Sequence, residues 1–177
     1  KLWLALLKEF VLNININAKN IWSQLSSAIT PRHIATLTAT YASGFLNTNG
    51  LGVTTTATGV QFQTYRHFAL QGAGAIYVET ALALSNAPVT NWTLDFGLFL
   101  PATASTSIPL DGVYFRYNSA GLVGVLNNNG TETTTAALTF APTINQVYKY
   151  NITITSSDVE FWIDDVLYAT VIRPVGT

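Results

Sequence analysis

Chemistry in this chain has to come from a small set of side chains. Among 177 residues there are 9 Asp and Glu, 8 Lys and Arg, 2 His and no Cys. A Ser–His–Asp mechanism needs a histidine within reach of an activated serine, yet His33 and His67 stand in no such frame and no G-x-S-x-G elbow occurs. His67, in TYRHFAL, falls opposite Phe62 and Phe68 on a regular strand, which is the placement of a structural histidine. Two histidines without cysteine do not assemble a zinc site, and no dense Asp/Asn loop of the EF-hand kind is present, so no metal or cofactor is expected. Gly72-Ala-Gly74 lacks the strand–turn–helix setting of a phosphate loop.

Paired carboxylates would indicate glycoside hydrolysis. The candidates are Glu79, Asp95, Asp111, Asp158, Glu160, Asp164 and Asp165. Only Asp158/Glu160 and Asp164/Asp165 are close in sequence, and both pairs sit where turns are expected, so turn formation accounts for them without a reaction. Aromatic rings that stack on sugars are a second kind of site. By strand alternation Trp162, Phe99 and Tyr114 fall on faces opposite the apolar ones, and the competing reading is that they pack under a second layer or a neighbouring subunit. The N-x-T triplets at Asn91, Asn129 and Asn151 are expected by chance in a chain this rich in Thr and Asn. The formal net charge is −1 and no basic stripe exists, which argues against nucleic acid as a partner.

The elements that would position these groups are β-strands. The clearest run is Gln146–Val171. Tyr148, Tyr150, Ile152 and Ile154 alternate with Lys149, Asn151, Thr153 and Thr155, which sends one face to a core and the other to water. Ser156–Asp158 carries turn chemistry, and Val159, Phe161 and Ile163 resume the alternation with Glu160 and Trp162 opposite. Asp164-Asp165 marks a tight reversal into a third strand over 166–172, and Pro174 suits its end. Trp92, Leu94, Phe96, Leu98 and Leu100 alternate in the same way before Pro101, and Val113, Phe115 and Tyr117 follow after a loop over Ala102–Leu110. Turns are expected at Asn118–Gly121 and, through the Asn-Gly pair, at Asn127–Gly130. Strands are expected over 33–41, 59–70, 75–84, 91–100, 111–118, 121–127, 133–140, 146–155, 159–163 and 166–172, with a long loop over Ser43–Thr58. Many short strands at this spacing predict an antiparallel two-sheet sandwich of jelly-roll type over residues 32–177.

Residues 1–31 read differently. On a helical wheel Leu2, Trp3, Leu4, Leu6, Leu7, Phe10 and Val11 share one broad face, with Lys8 and Glu9 opposite. The run is too short for a membrane span, which needs about 20 apolar residues. It lacks the uninterrupted core and cleavage site of a signal peptide. Three readings stay open: a helix packed on its own domain, a helix that docks on a partner or bundles with its copies, and a helix lying on a membrane surface. Asn20–Ile29 is expected to form a second short helix, capped by Asn20 and ended by Pro31. No Met occurs, not even at the start, so the chain is expected to be processed or a fragment.

Charged residues make up 10 % and apolar ones 49 %, so Thr, Asn, Ser, Gln and Gly must supply the wet surface. A weakly charged β surface needs protection from edge pairing, and assembly with other subunits provides it.

Two segments carry a family resemblance. YKYNITITSSDVEFWIDDVLYATV resembles the closing strands of the concanavalin A-like lectin/glucanase sandwich, laminin G-like domains included, with the reversal at Ile163-Asp164-Asp165-Val166. IYVETALAL, NWTLDFGLFLP and DGVYFRYNSAGLVGVLNNNGTETTT resemble virion proteins of tailed bacteriophages. Family catalytic residues do not carry over. Neither Tyr77-Val78-Glu79-Thr80 nor Leu94-Asp95-Phe96-Gly97 matches the acidic E-x-D-x-E strand of the glucanases, and the Asp/Asn pattern of legume-type lectins is missing. The resemblance therefore implies a sandwich in a virion setting without an active site. Together with the low charge, the missing reactive set and the apolar arm, it leads to the expectation of a capsid decoration protein or head fibre on the particle surface. Its partner would be the major capsid protein or another virion protein, reached through Leu2, Trp3, Leu6, Leu7, Phe10 and Val11, and a homotrimer is expected. The alternative is a lectin-like carbohydrate-binding module of a tail fibre or of the particle surface, taking a host-surface glycan at Trp162, Phe99 and Tyr114.

Overall fold

The computed structural model describes residues 75–100 and 108–174 in full and, as backbone alone, the strands at 29–34, 38–42, 45–49 and 59–64. Contacts divide the chain into two units, Lys1–His67 and Phe68–Thr177. No helix occurs among the described residues. The apolar arm over Lys1–Leu12, most of the helix expected over Asn20–Ile29, His67 and Gly72-Ala-Gly74 lie outside them.

In the first unit, β1 (Ile29–Ile34) pairs with β4 (Gly59–Thr64), and β2 (Thr38–Ala42) pairs with β3 (Phe45–Asn49), both antiparallel. Three expectations are corrected here. The strand expected over 33–41 is two strands with different partners. The loop expected over Ser43–Thr58 contains β3. Ile29 and Pro31, assigned to a helix and its stop, lie in β1. Both strands of a two-stranded sheet are edges, where a proline can turn its missing N–H outward.

The second unit holds eight strands in two antiparallel sheets. They are β5 (Ile76–Ala83), β6 (Thr93–Leu100), β7 (Asp111–Asn118), β8 (Gly121–Asn128), β9 (Thr131–Thr134), β10 (Val147–Ile154), β11 (Asp158–Ile163) and β12 (Val166–Ile172). One sheet is the meander β6-β7-β8-β9, and the other runs β12-β11-β10-β5. Alternation decides which face of each is apolar. Val113 and Phe115 from the meander and Tyr150, Ile152, Ile154, Val159, Phe161 and Ile163 from the other sheet form one buried cluster, with Phe96 and Leu98 packed against it. Rings cross the layer: Phe96 to Tyr150 at 5.0 Å, Phe115 to Tyr150 at 5.4 Å and Phe115 to Phe161 at 5.1 Å between centroids. Such a two-layered core is sandwich-like. Gly124 leaves room for the Phe161 ring, since a Cβ there would lie 2.6 Å from two of its ring carbons.

The turns follow their residues. Every described non-glycine residue with positive φ is Asn or Asp, the types that tolerate it best: Asn91, Asn129, Asn145, Asp164 and Asp165. Asn129 (φ 50°) and Gly130 (φ 79°) close the β8–β9 hairpin, as the Asn-Gly pair predicts. Asp164 (φ 47°) and Asp165 (φ 65°) close β11–β12 in a geometry that favours Asn-Gly. Asp164 Oδ1 accepts the Lys149 N–H at 2.8 Å, a bond that Asn can also accept. The Asp165–Lys149 pair is exposed and adds little. Converting Asp164-Asp165 to Asn-Gly is therefore expected to stabilise the unit by about 0.5–1 kcal/mol. A lower midpoint in urea than the parent's would contradict this.

Another expectation, a strand over 133–140, is corrected: β9 spans Thr131–Thr134, beginning two residues earlier and ending six residues sooner. The cause lies at Thr135. Its N–H donates to the Gly124 carbonyl at 2.9 Å, but the Gly124 N–H returns to the Thr135 hydroxyl at 3.0 Å and not to a backbone carbonyl. The side chain takes over the ladder, and the regular strand ends. The chain then places Phe140 against Tyr148 (4.9 Å) and Tyr168 (5.5 Å), closing one end of the core. Edge strand β12 carries a register shift opposite Phe161/Trp162. A bulge at an edge discourages uncontrolled pairing.

Candidate functional site

Two side-chain arrangements could carry function, one on the outward face of each sheet. On the meander, register sets Asp95 of β6 beside Arg116 of β7. The guanidinium binds Asp95 through Nε–H and an Nη2–H, both at 2.9 Å, and donates from Nη1 to Glu132 Oε2 of β9 at 2.9 Å. The Tyr114 hydroxyl donates to Glu132 Oε1 at 2.6 Å, and the Arg116 guanidinium lies 5.4 Å from the Tyr114 ring centroid. Side-chain exposures of 13 %, 16 % and 21 % for Arg116, Asp95 and Glu132 make this a mostly desolvated network.

Burial alone would raise the Glu132 pKa, but the hydrogen bonds from Tyr114 and Arg116 outweigh it and hold the carboxyl below its ordinary value of 4.5. Burial, then the bond to Glu132, pushes the Tyr114 hydroxyl well above its usual range. The bonds to Asp95 lead those that raise the Arg116 pKa against the effect of burial. Asn127 is buried beside this network, where its Nδ2 donates to the Pro109 carbonyl at 2.7 Å, while its Oδ1 has no partner among the described residues.

The outward face of the other sheet is shaped differently. Register aligns Glu79 of β5, Asn151 of β10, Trp162 of β11 and Leu167 of β12 in one row across the strands. The neighbouring row holds Tyr77, Thr153, Glu160 and Thr170. Bonds link the rows. The Trp162 indole N–H donates to Glu160 Oε2 at 3.0 Å, and the Tyr77 hydroxyl donates to Glu79 Oε2 at 2.7 Å. Tyr77 is 45 % exposed and Trp162 is half-buried, so both rings present surface. Asn151 is only 4 % exposed, and its Oδ1 has no partner among the described residues. Beyond the rows, Lys149 Nζ pairs with Asp165 at 2.6 Å.

The sequence-derived candidates scatter accordingly. Trp162 lies on the outward face beside Glu160, where alternation puts it. Phe99 and Tyr114 are on the other sheet, edge-to-face at 5.4 Å. Tyr114 is fully buried, so the exposure expected of it as a stacking platform is corrected: its ring is enclosed between Phe99 and Arg116, and its hydroxyl is committed to Glu132. Pro109, in the segment expected to be a surface loop, is buried as well.

The turn carboxylates keep to turns. Asp158 bonds Thr155 and Ser157, Asp164 accepts a backbone N–H, and Asp165 pairs with Lys149. Arg116, Glu132, Asn127, Tyr77 and the burial of Asn151 are not legible in the sequence, because each depends on which strand lies alongside. The one available signal was placement of Arg116 and Asp95 on the outward sides of adjacent strands. No group of three His, Cys, Asp or Glu side chains that could hold a metal ion occurs among the described residues. No described helix is long and apolar enough to cross a membrane.

No protein-family model matches the chain, and comparison with curated proteins and with solved structures gives no significant match.

Proposed function

We propose that this chain is a non-enzymatic structural protein of a bacteriophage virion, a capsid decoration protein or head fibre, built as a jelly-roll sandwich of the concanavalin A-like kind. One observation carries the non-enzymatic part. Five of the eight acidic side chains of the second unit are committed to structural bonds: Asp95 and Glu132 to Arg116, Asp158 to its own turn, Asp164 to a backbone N–H and Asp165 to Lys149, while Glu79 and Glu160 each accept one bond from a neighbouring aromatic side chain. A general acid or base must be free to exchange its proton with a substrate, and groups tied in this way serve folding. The virion setting rests on the sequence resemblance over about residues 60–173 and on the sparse charge of the chain.

In this reading the arm bearing Leu2, Trp3, Leu6, Leu7, Phe10 and Val11 docks on the major capsid protein or another virion protein. The sandwich faces outward, and the chain assembles as a homotrimer at three-fold positions of the shell. Deleting residues 1–12 is expected to abolish co-sedimentation with purified phage heads. Decoration by the truncated chain at the parent level overturns the docking role.

A second reading, a carbohydrate-binding module at the particle surface, is favoured by Trp162, whose ring is held half-exposed on a sheet face by its bond to Glu160.

A further inference from the structure

We infer that the outward face of β5, β10 and β11 is a binding site for a neutral or amine-bearing glycan chain, centred on Asn151 between Glu79 and Trp162. This deepens the carbohydrate-binding reading and is independent of the virion assignment.

The first support is the pairing of rings with fixed acceptors. Sugar rings present a C–H face with partial positive charge and an edge of hydroxyl donors. The negative face of an aromatic ring complements the former, and carboxylate and amide oxygens complement the latter. Trp162 and Tyr77 each lie one row from the other and are held by Glu160 and Glu79. Each carboxylate is oriented by one oxygen in its aromatic partner's bond. The other oxygen has no hydrogen bond among the described residues, so it is a pre-positioned acceptor. Pre-positioning lowers the cost of ordering on binding.

The second support is independent. Asn151 is a polar side chain more than nine-tenths buried, standing in register between Glu79 and Trp162, with its Oδ1 unpartnered among the described residues. A buried acceptor without a donor is costly in a folded protein, and because this oxygen is sealed from solvent a ligand hydroxyl satisfies it only by displacing the side chains that cover it.

Charge selects the ligand. Glu79, Glu160, Asp164 and Asp165 outweigh Lys149, whose ammonium is already paired with Asp165. A sulfated, sialylated or phosphorylated glycan meets repulsion here, whereas a neutral or amine-bearing chain does not. An open sheet face also suits an extended chain better than a single sugar, because successive residues can span the row from β5 to β11.

The test uses the full chain in affinity electrophoresis and titration calorimetry against soluble β-glucan, chitosan oligomers, dextran and heparin. Retention by at least one of the first three and not by heparin is expected. Trp162→Ala is expected to weaken that binding by about tenfold or more, and Trp162→Phe to recover part of it by restoring a ring. Glu79→Gln keeps shape and tests the acceptor if Trp162→Ala does not fold. No binding to any neutral or amine-bearing polymer, heparin binding equal to theirs, or unchanged affinity in both Trp162→Ala and Glu79→Gln overturns the proposal. So does a parent dimer that Trp162→Ala converts to monomer without any glycan retention, because the face would then be an interface between copies. Head decoration by Trp162→Ala at the parent level, with glycan retention lost, separates this site from docking by the arm.

Discussion

Replacing Arg116 with methionine is expected to destabilise the Phe68–Thr177 unit by about 2–4 kcal/mol. The methionine fills much of the arginine's volume but leaves Asp95 and Glu132 facing each other in a mostly desolvated patch without their shared cation. Removing one partner of a buried pair costs about 3–5 kcal/mol, and the residual exposure of this one moderates that figure. The same network makes stability depend on pH. Glu132 has its folded pKa held below 4.5, so its contribution is complete above that value and is lost as the pH falls through the folded pKa. The gap between parent and variant is therefore expected to be widest near neutrality and to narrow below pH 4.5. Urea denaturation at about pH 7 and about pH 3.5 measures both effects. A variant within about 0.5 kcal/mol of the parent at neutral pH contradicts the network's structural role.

Replacing Phe161 with alanine is expected to cost about 3–5 kcal/mol, a large share of the 5–15 kcal/mol by which domains of this size are usually stable. Phe161 is fully buried, meets the Phe115 ring edge-to-face across the layer and lies against Gly124. That last contact makes the site a coupled pair. Gly124→Val alone drives its side chain into the Phe161 ring and is expected to destabilise by about 1–3 kcal/mol, whereas in the Phe161→Ala background the same change fills part of the cavity and regains stability. The sign of the Gly124→Val effect should thus invert between the two backgrounds in a double-mutant cycle. Additive effects would place the two residues in separate environments and contradict the sheet packing described above.

Much of the second unit was legible because it depends on period-two alternation and turn residues. Tyr148, Tyr150, Ile152 and Ile154 alternate in sequence and are buried in the structure. Asp164-Asp165 and Asn129-Gly130 signalled reversals, and both turns carry the positive φ that those residues tolerate. Harder to read were segments where a side chain displaces a backbone partner. Residues 133–140 have strand composition, but the Thr135 hydroxyl enters the ladder and ends it. Tyr114 sits at an outward-facing position and is nevertheless buried, since a strand pattern reports which side a residue faces and not what covers that side.

The candidate sites were the least legible. Trp162 was visible as an aromatic on an outward face, but the row that surrounds it required β5 to lie beside β10, a pairing that joins residues far apart in the chain. The Arg116 network likewise spans three strands.

Sequence by itself determined the class of structure, the inward set of apolar side chains and the main turns, because these follow from local geometry repeated every two residues. Tertiary structure alone decided which strands are neighbours and in what register. It thereby decided that Arg116 meets Asp95 and Glu132, that Asn151 stands between Glu79 and Trp162, and that Tyr114 is enclosed. The reason is that cross-strand contacts are set by long-range pairing and layer packing, and many pairings satisfy the same alternating pattern.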